Sequence, residues 1–536
     1  MARLNAGDEL RRAGKLHTAG KYRQAERLYR SVLAGNPGDT TILRLLGMLE
    51  RDRGRPDDAL GWFRKARASA DTAKLAAEEG LTLQTMGHFR EAEDTLRSAL
   101  ADYPDDLMLS MMLARVLMSM AQAAAAASLL EPLAYAHDRD ADLMLLMAAA
   151  ANASGVLPVP TRYASAVTSL LPQDARGHAM LGSAHRLNGD LDSALAAFDK
   201  ASAIDPSSTE AIAGKAHVLE SMGRSDDAWS MLENSTATAS PLVTLATVRV
   251  ARRLNKHDVA AAAIDTALAA PRLSPYHRSH LLMQQGLVLE EMSRYDDAWA
   301  AWTEGNALHA GQFDMGAHRN LVQTIIDTEI PTLEGSNSSQ PVFIVGMFRS
   351  GTTLMEQVLG AHENIDTAGE VDAMLRLVHA HPYPACLEQP PNGAAQEYLA
   401  ALRSDAPRVT DKMPANYLHV GLIHALFPHA TILHMTRDAR DTCVSCYANA
   451  FAASQAYTAD LEELAEVYGL YSDLMAHWNT ALPNRMYPVS YEDLVTNPEP
   501  TVRGVLDAMG VAWEPACLNF HAVRRIPITP SADQVR

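Results

Sequence analysis

The segment with the clearest chemical capacity runs Val342-Phe343-Ile344-Val345-Gly346-Met347-Phe348-Arg349-Ser350-Gly351-Thr352-Thr353-Leu354. A buried strand leads into a glycine-bounded loop, and the loop leads into a helix. The two glycines have the spacing of a phosphate-binding Walker loop, but Thr352 stands where that loop requires lysine. A glycine-permitted turn still points successive backbone N–H groups inward, and the helix N-terminus adds a favourable dipole for an anion. Arg349, Ser350, Thr352 and Thr353 add charge and hydroxyl donors. A nucleoside triphosphatase also needs an acid after a second strand to hold magnesium. Here the strand Thr431-Ile432-Leu433-His434-Met435 leads to Thr436-Arg437 instead. The loop therefore suits a nucleotide 5′-phosphate without a magnesium-bound triphosphate tail. The competing reading is a glycine turn with no ligand, and strand, loop and helix in that order tell against it.

Elements of two kinds must carry these residues. From Pro341 onward, short apolar strands (342–345, 431–435, 486–489) alternate with helices (353–360, 415–427, 439–449, 461–480, 500–509). That alternation predicts a parallel sheet covered by helices. Before it, one pattern recurs. Turn positions fall at Gly20, Gly54, Gly87, Ala121, Gly155, Gly189, Gly223, Asn255 and Ser293, in steps of 34, 33, 34, 34, 34, 34, 32 and 38 residues. That is the tetratricopeptide period of two antiparallel helices per repeat. A glycine lies seven residues before the turn at Gly47, Gly80, Gly182 and Gly286. An aromatic follows at Tyr29, Phe63, Phe198 and Trp302, one helical turn beyond the repeat alanine. Proline ends second helices at Pro37, Pro104 and Pro206. The copies around Ala121 and Gly155 have lost most of these marks and are expected to be distorted. A plain helical bundle is the competing reading, disfavoured by a regular period over nine copies.

The expected fold is thus an α-helical tetratricopeptide superhelix over residues 1–330 with a capping helix near 314–326. A breaker-rich linker follows at 331–340, then an α/β domain at 341–536. Stacked repeats offer a concave surface for a peptide or protein partner. A structural or dimerising role stands beside that as an equal alternative.

Phe348-Arg349-Ser350-Gly351-Thr352-Thr353-Leu354 resembles the 5′-phosphosulfate loop of sulfotransferases. Later residues are similar to tyrosylprotein sulfotransferases, and the whole layout resembles bacterial tetratricopeptide-repeat sulfotransferases. The resemblance implies that 3′-phosphoadenosine 5′-phosphosulfate is the co-substrate, with no metal needed. It places Arg349, Ser350, Gly351, Thr352, Thr353 and Leu354 on the donor's 5′ side. Arg437 and Ser445 become the 3′-phosphate site, where a strand-end arginine can grip phosphate in bidentate fashion. Glu370, 21 residues after Arg349, takes the part of general base. Lys412 and Arg349 stabilise charge on the sulfuryl group and leaving oxygen. Tyr491 lies near the nucleotide, and Ser531 opens a late covering loop. His362 is read as structural.

Departures from the family are specific. Ala368 and Asp411 hold the positions of a cysteine pair in secretory-pathway members. Val371 and Asp372 follow Glu370 where those members carry an arginine, so protein tyrosine is not secured as acceptor. The family continues past the position of Val535 with basic and aromatic residues, so the expectation is a truncated product or a missing lid.

Composition narrows the rest. The chain has 536 residues, with 48% apolar and 21% charged. Its net charge of -18 argues against nucleic acid or an anionic membrane as the main partner. No apolar signal core or membrane span is read in the sequence. The four cysteines (386, 443, 446, 517) have no metal or disulfide-scaffold spacing, which points to a reducing, cytoplasmic compartment. The leading expectation is an enzyme sulfating a hydroxyl or amine of a peptide, protein or small molecule. A repeat scaffold with an inactive nucleotide domain is the alternative, and a kinase-like reading is disfavoured by the missing lysine and acid.

Overall fold

The computed structural model describes residues 2–120, 122–154, 159–235, 240–270, 273–309, 313–330, 335–387, 390–451 and 453–522. The turn positions Ala121 and Gly155, residues 331–334 of the expected linker, and Ser531 with the rest of its loop lie outside them.

Antiparallel helix pairs run from Ala2–Thr18 to Tyr295–His309. The turn between paired helices needs a residue in the left-handed region, which is why glycine recurs there. Gly20, Gly54, Gly87, Gly189 and Gly223 have φ between 71° and 79°, and Asn255 and Ser293 adopt the same region at 56° and 61°. The second glycine of the repeat meets a different need. A Cβ on Gly47 would lie 2.5 Å from Phe63, and one on Gly286 only 2.1 Å from Trp302. The copies expected to be distorted form regular helices at Leu107–Ser119, Ala123–Ala136 and Ala141–Ala153, followed by a short one at Arg162–Leu170. Alanine and leucine there sustain helix and core without the repeat's usual marks.

The chain divides into two compact units, Met1–Lys215 and Ala216–Arg536. The division falls inside the run of repeat helices. The reason lies in the core of the second unit. Met283, Ala298, Trp302, Val322 and Ile325 share one apolar cluster with Phe343, Val345 and Trp478. The last repeat helices and one face of the sheet are thus buried together. The helix expected near 314–326 is present at Met315–Asp327, capped by Asp314.

Five parallel strands make the sheet: β1 (Pro341–Gly346), β2 (Ile365–Thr367), β3 (Arg408–Asp411), β4 (Thr431–Thr436) and β5 (Met486–Ser490), in the order β2-β3-β1-β4-β5. Side chains of β1 alternate between faces as strand geometry requires. Val342 and Ile344 pack with Met355, Leu359, Leu433 and Val505, whereas Phe343 and Val345 join the cluster shared with the repeats. β3 was not foreseen. The stretch expected as one helix at 415–427 splits into a 3₁₀ segment (Pro414–His419) and an α-helix (Val420–Leu426).

The sheet order reverses about β1, because β3 lies on one side of it and β4 on the other. In open parallel sheets, ligands bind beyond the carboxyl ends of the strands at such a reversal. The loop follows β1, Glu370 follows β2, Lys412 follows β3, Arg437 follows β4 and Tyr491 follows β5. Topology alone brings these residues to one edge.

Candidate active site

The loop after β1 is built on unusual backbone. Gly346 has φ 153° and Gly351 has φ 97°, and Arg349 between them is a non-glycine residue at φ 68°. A Cβ on Gly351 would stand 2.5 Å from the ring of Tyr491, and one on Gly346 would stand 2.6 Å from the carbonyl of Met435. The loop therefore lies tight against the ends of β4 and β5. Gly351 also caps the helix Thr352–Gly360. Arg349, Ser350, Thr352 and Thr353 are all buried.

Two guanidinium groups converge here. Arg349 donates Nε–H to Ser445 Oγ at 3.0 Å, and Arg437 donates to the Arg349 carbonyl at 3.2 Å. Arg437 also lies over the Tyr491 ring, 4.7 Å from its centroid. Its nearest acid, the exposed Asp441, is 3.7 Å away. Burial, reinforced by the charge of Arg437, pulls the Arg349 pKa below its ordinary value. Such a cluster disfavours its own charge until an anion arrives.

Orphaned polar atoms mark the same place. Among the described residues, seven buried side-chain polar atoms have no hydrogen-bond partner, and Ser350 Oγ, Arg437 Nε and Thr442 Oγ1 are three of them. Buried donors are normally satisfied, so a concentration around one loop points to a ligand. Hydroxyl, guanidinium and backbone N–H donors are the set that a phosphate takes. The residues present fit a phosphorylated ligand such as a nucleotide.

Beside this cradle, Lys412 Nζ donates to Glu370 Oε1 at 2.5 Å. The lysine side chain is 1% exposed and that of the glutamate 43%. A buried ammonium is held by an acid that reaches solvent. The backbone that positions the pair is bonded across β2 and β3, with Lys412 N–H to the Gly369 carbonyl at 2.8 Å and Ala368 N–H to the Thr410 carbonyl at 2.9 Å.

Two further carboxyls, Glu356 and Asp411, were given no role from the sequence. Glu356, on the helix that follows the loop, accepts from Gly369 N–H at 3.1 Å and Thr410 Oγ1 at 3.3 Å. It ties the loop helix to the backbone just before Glu370 and to the Thr410 side chain two residues before Lys412, and burial pushes its pKa up. Asp411 is fully buried and accepts from Val371 N–H at 3.2 Å, Tyr398 OH at 2.5 Å and Asn416 Nδ2 at 3.0 Å. Burial pushes its pKa up to about 7, opposed by the bond from Tyr398. It links the residue after Glu370 to the residue before Lys412. For Glu356 the available signal was a charged residue at a buried helix position, between Met355 and Val358.

The remaining expected residues fall in different settings. Leu354 packs its side chain against the apolar cluster of Ile344 and Leu433. His362 bonds the Ala512 carbonyl at 2.8 Å and Asn364 N–H at 3.0 Å, which ties two chain segments.

Residues 341–515 match the model of the sulfotransferase family, and residues 5–73, 78–131 and 161–209 match that of the tetratricopeptide repeat. An uncharacterized protein of Aquifex aeolicus (strain VF5) is 30% identical over 60% of this chain and 46% of its own. The protein-tyrosine sulfotransferase of Drosophila melanogaster is 27% identical over 36% of this chain and 44% of its own. Protein-tyrosine sulfotransferase 1 of Danio rerio is 27% identical over 34% of this chain and 57% of its own. The chain spans about half the length of the curated relatives it matches. The parallel sheet with its phosphate-type loop is thus a sulfotransferase-family domain, similar to protein-tyrosine sulfotransferases and preceded in the chain by tetratricopeptide repeats.

Proposed function

We propose that this protein transfers a sulfuryl group from 3′-phosphoadenosine 5′-phosphosulfate to a hydroxyl or amine acceptor. The observation that carries the reading is the paired guanidinium groups and orphaned donors around the β1 loop, set beside a lysine–glutamate pair and with Arg437 at the position directly after β4.

In this reading the loop amides, Ser350, Thr352 and Thr353 hold the 5′-phosphosulfate end. Arg437 and Ser445 hold the 3′-phosphate, and Tyr491 packs against the loop. Glu370 accepts the acceptor's proton as its oxygen or nitrogen attacks sulfur. The bond from sulfur to the bridging phosphate oxygen breaks, and adenosine 3′,5′-bisphosphate leaves. Glu370 loses its negative charge on taking the proton while charge grows on the leaving oxygen. Lys412 and Arg349 meet that growing charge, so the buried ammonium keeps a counterion throughout. Fixed charge is the principal lever in such transfers.

The reading extends to the repeats, which recruit the acceptor or a partner protein. It also extends to a reducing, cytoplasmic compartment, in keeping with four free cysteines. Among the described residues, no helix is long and apolar enough to cross a membrane.

The test is donor turnover. The full chain is incubated with 3′-phosphoadenosine 5′-phosphosulfate and a panel of phenols, alcohols, amines and tyrosine peptides, and both adenosine 3′,5′-bisphosphate and sulfated product are measured. Equal formation of both is expected with at least one acceptor. Formation of neither with any acceptor class, by protein that binds the donor, would favour a scaffold.

A further inference from the structure

The nine-residue helix Ala439–Tyr447 carries Ser445, and its last three residues bind two different elements, the β1 loop and the last repeat helix. Ser445 Oγ accepts from Arg349, and Cys446 Sγ donates to the Phe348 carbonyl at 3.4 Å. The Tyr447 carbonyl accepts from Asn306 Nδ2 at 2.8 Å. Asn306 is buried and belongs to Tyr295–His309, the last repeat helix. On the same helix, Trp299 stacks on Tyr447 at 5.2 Å and 29°, and Thr303 Oγ1 accepts from the Tyr447 hydroxyl at 3.3 Å.

The last carbonyls of a helix have no partner within it. Asn306 supplies that partner from outside, as a side-chain cap given by one element to another. The stacked tryptophan fixes the ring of the same residue. The final turn of the helix is thus held on one side by the β1 loop and on the other by the repeat. Ser445 sits in that turn, two residues before the clamp.

We propose that Asn306 and Trp299 are positioning residues through which the last repeat helix sets the 3′-phosphate site, an inference that rests on the nucleotide reading above. The repeat is then a structural wall of the nucleotide site as well as a recruiting surface. Loss of the clamp lets the last turn and Ser445 shift, so recognition of the 3′-phosphate suffers while the β1 loop keeps its grip on the 5′ end.

The experiment is calorimetric titration of the full chain with adenosine 3′,5′-bisphosphate and, separately, adenosine 5′-monophosphate. It compares wild type, Asn306→Ala, Trp299→Ala and Trp299→Phe. Wild type is expected to prefer the bisphosphate. Asn306→Ala and Trp299→Ala should each lower that preference by about tenfold, the worth of one buried hydrogen bond or stacked pair, with monophosphate affinity unchanged. Trp299→Phe should retain the preference. A general destabilisation would weaken both nucleotides alike, and that result overturns the inference, as does an unchanged preference. Trp299 is partly exposed, so its variants decide the matter if Asn306→Ala does not fold. A wild type without any preference for the bisphosphate would instead overturn the nucleotide reading itself.

Discussion

Replacing Asp411 by asparagine should change how stability depends on pH. Asp411 is fully buried, and its carboxyl titrates near pH 7 in the folded chain against an ordinary value of 3.8. The folded state therefore holds that proton more tightly than the unfolded state. The associated stabilisation is complete below pH 3.8 and is lost as pH rises toward 7. Between pH 5 and pH 8 about two units of this window are crossed, or ~3 kcal/mol at 1.36 kcal/mol per unit. For the unit Ala216–Arg536 that is roughly 4–5 °C in Tm. Buried histidines act in the opposite sense. Burial pushes His419 and His434 down to about 4, so their contribution is lost as pH falls. The wild-type curve alone mixes the two, and the difference between wild type and Asp411→Asn isolates the carboxyl. Scanning calorimetry of both at pH 5, 6, 7 and 8 should show the Tm gap moving in favour of the variant as pH rises. A gap constant to within a degree would refute the reasoning.

Three further outcomes follow from the geometry. Gly351→Ala forces a side chain into φ 97° and against Tyr491, so affinity for adenosine 3′,5′-bisphosphate should fall at least about tenfold by titration. Glu370→Gln should lower turnover about 10²–10⁴-fold in the donor assay while nucleotide affinity holds, and equal loss of both would remove its role as base. Gly286→Ala places a Cβ 2.1 Å from Trp302 in the core shared with the sheet, so thermal unfolding should show a loss of about 1–3 kcal/mol.

What the sequence made legible follows from how tightly local chemistry constrains residue choice. The repeat could be read because each turn demands a left-handed residue and each helix pair a close approach, which leaves glycine at fixed intervals before Phe63 and Trp302. The β1 loop could be read because its backbone tolerates little but glycine at 346 and 351. Arg437 and Tyr491 were named through the resemblance to sulfotransferases, at the ends of the strands expected at 431–435 and 486–489. β3 was missed because Arg408-Val409-Thr410-Asp411 is short and polar, although it lies between β2 and β1 inside the sheet. The bonding roles of Glu356 and Asp411 were missed because a carboxyl looks the same in sequence whether it is solvated or buried. The core that the last repeats share with the sheet left no mark in the sequence, because an apolar helix face does not reveal whether its neighbour is another repeat or a sheet. The Asn306–Tyr447 cap joins residues 141 positions apart and left no local trace.

The central claim is that the edge of the sheet takes a doubly phosphorylated adenosine without a metal. Titration of the full chain with adenosine 3′,5′-bisphosphate in the presence of chelator, against ATP with magnesium, tests it most directly. The account predicts saturable one-site binding of the bisphosphate that chelator does not weaken, and weaker binding of magnesium-ATP. Tight magnesium-dependent binding of ATP with none of the bisphosphate would contradict it.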